Sequence, residues 1–187
     1  QAGTFNTIVA APRSFKTFFA ISLGVSVASG LPWFGRTVKP GPVCFLIGEG
    51  HHGFGTRLQA AKLNMDLRLD EPLPLYISSS ALAIPDQADA EKLATSLAVI
   101  EEAEGEPIRL LVVDTLGRNF GGHDENSAQG MGAFVNNLLD SVSPKTAVVV
   151  LHHSGWSDQS RARGSSSLFE ATKGEFGVIR LEIVVDS

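Results

Sequence analysis

Cysteine is almost missing from this chain. Cys44 is the only one, so no disulfide can form within it. Cys44 sits in the apolar run Val43-Cys44-Phe45-Leu46-Ile47, where a buried and inert thiol is expected. Long hydrophobic runs are missing too. The most apolar stretch, Phe18 to Phe34, is broken by serines, glycines and Pro32, and is too short and punctuated to span a bilayer. No signal peptide is visible, so a cytoplasmic protein without a membrane partner is expected. There is no surplus of basic residues: 15 Lys and Arg stand against 20 Asp and Glu, a net charge of −5. A module that grips nucleic acid by itself presents a basic face, so this balance argues against independent DNA binding. It leaves room for a ring that gathers a few arginines from each subunit into one channel. The chain opens at Gln1 rather than Met, and a strand-like run follows almost at once. It reads as a domain cut from a longer chain, or trimmed to its ordered part.

What is present is the composition of one globular domain. With 187 residues, 43% of them apolar and 19% charged, residues 1–187 fit a single α/β unit with a sizeable core. Short apolar runs alternate with longer helical patterns, the signature of βαβ units and a mainly parallel sheet. Strands are expected at Thr7 to Ala11, Val43 to Ile47, Leu75 to Ser78, Leu110 to Val113, Ala147 to Leu151 and Val178 to Val185. Helices are expected at Lys16 to Ser29, Thr56 to Asn64, about Asp86 to Ala103, and Ser127 to Ser141. The third helix carries Leu93, Leu97 and Ile100 on one face. The Gly/Ser/Asp-rich stretches Gly117 to Gly130 and Ser154 to Ser167 read as mobile loops.

Polar residues gather just after the strand ends: Lys16 and Thr17, Glu49, Asp114, then His152 and His153. In an open α/β sheet, ligands bind beyond the carboxyl ends of the strands. Ala10-Ala11-Pro12-Arg13-Ser14-Phe15-Lys16-Thr17 has the spacing of a G-x-x-x-x-G-K-[ST] phosphate loop, with Ala10 and Phe15 in place of its glycines. Lys16 would reach phosphates, Thr17 would hold Mg²⁺, and the helix N-terminus would offer N–H groups to anions. An ordinary strand-turn-helix with an incidental Lys-Thr pair fits this segment equally well. Asp114 closes the apolar run Ile108 to Val113; it would act on Mg²⁺ or cap a loop, and the preceding Lys16-Thr17 favours the Mg²⁺ role. Glu49 lies between two glycines, as a general base for water or as a solvated turn residue; the segment leaves both open. Neighbouring strand residues face opposite ways, so one of His152 and His153 would meet the ligand while the other packs. A metal site built from His51, His52, His152 and His153 is a rival without supporting ligand spacing. Arg161 and Arg163 are loop arginines or, more sharply, a finger reaching a neighbouring subunit's γ-phosphate.

Taken together, these residues resemble the RecA-like P-loop ATPases typified by the plasmid hexameric replicative helicases and their phage relatives. The resemblance is carried by the ordered set Val113-Asp114-Thr115-Leu116-Gly117-Arg118, Asp124-Glu125-Asn126-Ser127, Leu151-His152-His153-Ser154 and Arg163-Gly164-Ser165-Ser166. Ser14-Phe15-Lys16-Thr17-Phe18 is similar to a variant phosphate loop of the phage-type members. The resemblance implies a homo-oligomeric ring, a hexamer, with ATP between subunits and single-stranded DNA in its channel. Pro12 to Phe18 would bind the nucleotide, Thr17 and Asp114 the Mg²⁺, and Glu49 would be the catalytic base. His152 would sense the γ-phosphate and Arg163 would act in trans. The loops at 118–130 and 154–167 would move with nucleotide state and touch DNA. Trp156 stands where relatives often carry a basic residue.

Overall fold

The computed structural model describes residues 3–153 and Leu168. In chain order it forms β1 (Phe5–Ala10), α1 (Lys16–Ser29), β2 (Val43–Ile47), α2 (His51–Asn64), β3 (Leu75–Ile77), α3 (Gln87–Glu104), β4 (Leu110–Asp114), α4 (Ala128–Asp140) and β5 (Ala147–His153). The five strands make one sheet in the order β1-β5-β4-β2-β3, and every pairing is parallel. This is the expected α/β architecture of a RecA-like P-loop NTPase, a parallel sheet flanked by helices. The strand expected at Val178 to Val185 lies outside the described residues, as does the loop at 154–167.

Crossover handedness decides the layers. The links β1-α1-β2 and β2-α2-β3 step one way across the sheet, while β3-α3-β4 and β4-α4-β5 step back. Right-handed crossovers therefore put α1 and α2 on one face, and α3 and α4 on the other. The two cores follow this division. Ile21 and Val25 of α1 and Phe54 of α2 pack with Val43, Phe45, Ile47, Leu110 and Val112. Leu93 and Leu97 of α3, and Met131, Phe134 and Leu138 of α4, pack with Cys44, Leu46, Leu111 and Val113. Alternate residues of β2 and β4 thus feed opposite cores, as the two-residue strand period requires.

Helix boundaries mostly follow local chemistry. Helix α1 spans the expected residues and stops at Gly30, whose φ of 76° lets its N–H reach the Ser26 carbonyl at 2.9 Å. Ser127 caps α4 by accepting from the Gly130 N–H at 3.2 Å. Helix α2 starts earlier than expected, at His51 rather than Thr56. Gly53 and Gly55 weaken the helical signal there. Burial of Phe54 against Phe45, ring centroids 5.1 Å apart, outweighs a glycine penalty of about 1 kcal/mol each.

The loop after β4 also differs from the expected mobile segment at its start. Gly117–Asn119 is a short 3-10 turn, and the Asn119 side chain is wholly buried. Its Nδ2 donates to the Thr115 carbonyl (3.0 Å) and its Oδ1 accepts from the Leu82 N–H (3.1 Å). A buried amide with both ends satisfied fixes the chain locally.

Candidate phosphate-binding site

The site lies where the sheet changes direction. Strands β2 and β4 are neighbours, yet their following helices pass to opposite faces, which opens a crevice beyond their carboxyl ends. Glu49 follows β2 and Asp114 ends β4. The loop after β1 crosses from the far side of β5, and His153 ends β5 itself. These segments enclose a cleft of about 520 Å³ lined by Pro12, Arg13, Lys16, Thr17, Glu49, Asp114 and His153, among others. Four strands therefore deliver the chemistry expected from sequence to one place.

Within the cleft, Thr17 Oγ1 donates to Asp114 Oδ2 at 2.8 Å. A hydroxyl and a carboxylate in contact are hard oxygen donors of the kind Mg²⁺ shares with water and phosphate oxygens. Lys16 is buried, at 5% exposure, and its Nζ lies 3.0 Å from His153 Nδ1 and 3.5 Å from the Ala11 carbonyl. Burial pushes the Lys16 ammonium below its ordinary pKa, while the Asp114 and Glu49 carboxylates push back. Asp114 is moved upward, first by burial; Thr17, Lys16 and Arg57 oppose that shift and Glu49 adds to it. A buried cation at the start of a helix suits a phosphate.

The loop between β1 and α1 takes positive φ angles without glycine. Arg13 has a φ of 64° and Phe15 a φ of 60°, both in the left-handed region. Side chains there cost roughly 1–2 kcal/mol each. Phe15 is also the N-cap of α1, offers no side-chain cap, and turns its ring outward at 52% exposure. The first-turn N–H groups of α1 are thus left for an anion. Ser14 Oγ is buried without a hydrogen-bond partner among the described residues. An orphaned hydroxyl in this loop is what a missing phosphate oxygen would leave behind. The residues present fit a nucleoside triphosphate with Mg²⁺: Lys16, Ser14 and the α1 N-terminus for phosphate, Thr17 and Asp114 for the ion.

Two placements differ from expectation. His152, expected at the γ-phosphate, is 2% exposed and does not line the cleft; His153 does. Strand parity is the reason. Val149 and Leu151 join the core under α1, whereas Val148 and Val150 join the one under α3 and α4. His153 continues the first set and meets Lys16 at the start of α1, while His152 continues the second. Arg57 also reaches the cleft, though no motif in the sequence marks it. It lines the cleft from α2, with Cζ 5.6 Å from the Phe18 ring centroid. Had α2 been read from His51, Arg57 would have fallen two turns into a helix starting beside Glu49.

Glu49 is not free in the cleft: Arg118 Nε donates to its Oε2 at 2.8 Å. The four-histidine alternative is not assembled, since no group of three or more His, Cys, Asp or Glu able to hold a metal occurs among the described residues. Arg161 and Arg163 lie outside the described residues.

The chain matches the AAA domain over residues 1–159, most of its length. It belongs to the AAA domain family. No curated protein matches it. Membership makes this AAA domain a nucleotide-binding ATPase in general terms. No helix among the described residues is long and apolar enough to cross a membrane.

Proposed function

We propose that this AAA domain is the ATP-hydrolysing unit of a RecA-like ring helicase, or of a related DNA-remodelling motor, working in the cytoplasm. The observation that carries the reading is the convergence of Lys16, Thr17, Glu49, Asp114 and His153 from four strand ends on one cleft. Glu49 orients a water and takes its proton as the water oxygen attacks the γ-phosphorus and the bond to the ADP oxygen breaks. Lys16 neutralises charge on the phosphates. Mg²⁺, when bound at Thr17 and Asp114, supplies Lewis-acid stabilisation of the same charge. His153, beside Lys16, takes the part of γ-phosphate sensor. Arg163 remains the proposed finger from a neighbouring subunit in a homo-oligomeric ring, a hexamer, with single-stranded DNA in its channel.

The test is ATP hydrolysis with and without single-stranded DNA, run beside a measurement of solution mass. DNA-stimulated turnover by a ring-sized species is expected. Lys16→Ala should lower turnover at least about 100-fold, the scale of removing one positioned charge from a phosphoryl-transfer site. Unchanged DNA-stimulated turnover in Lys16→Ala sinks the assignment.

A second reading is a nucleotide-gated switch that binds ATP but hydrolyses it slowly. The Arg118–Glu49 pair favours it, because a base held by a guanidinium is poorly placed to take a proton. Both partners are largely exposed, and such pairs hold with about 0–1 kcal/mol. Arg118→Ala is therefore expected to raise DNA-free turnover by up to about five-fold. A slow wild type that this variant accelerates, with no response to DNA, selects the switch.

A further inference from the structure

Beside the phosphate cleft lies a second chamber of about 310 Å³ that differs in character. The two share Arg13, Lys16, Thr17 and Arg57 as common walls. What the second chamber adds is Ser14 and two aromatic rings, Phe15 and Phe18. Both rings are held outward, at 52% and 45% exposure, with centroids 5.8 Å apart at 60°. They stand three residues apart, at the N-cap and in the first turn of α1, so they rise on one side of the helix start. The Arg57 guanidinium closes the far side over the Phe18 ring.

Water-facing phenylalanines are an unfavourable use of apolar surface. Phe15 adds to this, since its backbone is in a conformation better suited to glycine. Two such rings at the rim of a phosphate cleft have the chemistry of a stacking platform, which accepts any flat heterocycle because every base has a π-face. Among the described residues no Asn, Gln, Asp or Glu side chain lines the chamber, so none of them brings a carboxamide or carboxylate to read a base edge. A ligand with its phosphates at Lys16 and Thr17 can extend through the shared walls and lay its organic end against the rings.

We infer that Phe15 and Phe18, with Arg57, form the nucleobase seat of this site, one that binds by stacking and discriminates weakly between bases. The inference rests on the cleft being a nucleoside triphosphate site. It assigns a purpose to the variant loop: the residue in the motif's glycine position gives a ring to the ligand.

The experiment measures binding of ATP, GTP and inorganic tripolyphosphate, each with Mg²⁺, to the full 187-residue chain by calorimetry. Phe15→Gly suits the existing backbone, and Phe18→Ala keeps a good helix former in α1. Each is expected to weaken ATP and GTP about ten-fold while changing tripolyphosphate affinity less than about two-fold. Wild-type affinities for ATP and GTP should agree within about three-fold. Phe18→Trp should retain ATP binding, and its added indole fluorescence should change with ATP but not with tripolyphosphate. If wild type binds neither ATP nor tripolyphosphate, the phosphate-site reading falls and the seat falls with it. If wild type binds both, and the ring-removing variants bind ATP normally or lose both ligands alike, the phosphate site stands and the seat is overturned.

Discussion

Asp114 is a carboxyl whose folded environment works against its own charge. Burial raises its pKa above the ordinary 3.8, and Thr17, Lys16 and Arg57 only partly offset that. The folded chain therefore holds this proton more tightly than the unfolded chain does. Its contribution to stability is fully present below pH 3.8 and is lost as pH rises through the elevated folded value. Asp114→Asn keeps an acceptor for the Thr17 hydroxyl but removes the ionisation. The ligand-free variant should be more stable than wild type at neutral pH, with the gap closing on acidification. Its Mg²⁺-dependent turnover should fall about 10- to 100-fold. Thermal unfolding from about pH 4 to 8 beside steady-state hydrolysis checks both halves; equal melting temperatures throughout would remove the argument from burial.

The elements turn on close approaches between helices and sheet. Helix α1 meets the sheet at Gly24, where an added Cβ would lie 2.6 Å from Phe45 Cζ. Phe45 is buried at 1% exposure and pinned against Phe54, so its ring has little freedom to retreat. Alanine would gain helix propensity of about 1 kcal/mol, while overpacking costs roughly 1–3 kcal/mol. Gly24→Ala is thus expected to destabilise by about 1 kcal/mol net and lower Tm by roughly 2–4 °C. A calorimetric scan showing a rise in Tm would mean that Phe45 moves aside at little cost. Lys62 shows another device at element ends. Its buried amine donates to the carbonyls of Leu69 (3.1 Å) and Glu71, tying the end of α2 to the segment leading into β3.

At the scale of the molecule, the sheet interior is dry. Cys44 lies in β2 between the two layers, and burial pushes its thiol up to about 12. Only the thiolate attacks alkylating reagents. Cys44 in the folded chain should therefore be inert to iodoacetamide at about pH 8, and should react as denaturant opens the sheet. Its modification rate, followed by mass spectrometry, reports opening of this core; rapid labelling of the native chain would contradict the packing described. The net charge of −5 belongs to this scale too. It disfavours a monomer that holds DNA unaided, and so makes solution mass a decisive companion to any activity assay.

Much of this architecture was legible in the chain because the signals are local. Apolar runs such as Leu110 to Val113 closed by Asp114, and a helix bounded by Lys16 and Gly30, are set by burial, side-chain period and backbone freedom within a few residues. Lys16-Thr17, Glu49 and Asp114 could be named as site candidates on that basis, since each follows a strand whose end faces the crevice. Other features depended on contacts between distant segments. Whether His152 or His153 meets Lys16 follows from which face of β5 lies beneath α1, a matter of crossover handedness and strand parity. The earlier start of α2, and with it the arrival of Arg57, came from Phe54 packing on Phe45 against local glycine preference. The Arg118–Glu49 contact spans 69 residues, and the Phe15–Phe18 rings gain a chamber only when Arg57 crosses to meet them. Local chemistry thus set most of the described strands and helices and marked candidates for a phosphate site. Tertiary packing decided which side chains share the cleft, because only long-range burial can weigh one face of an element against the other.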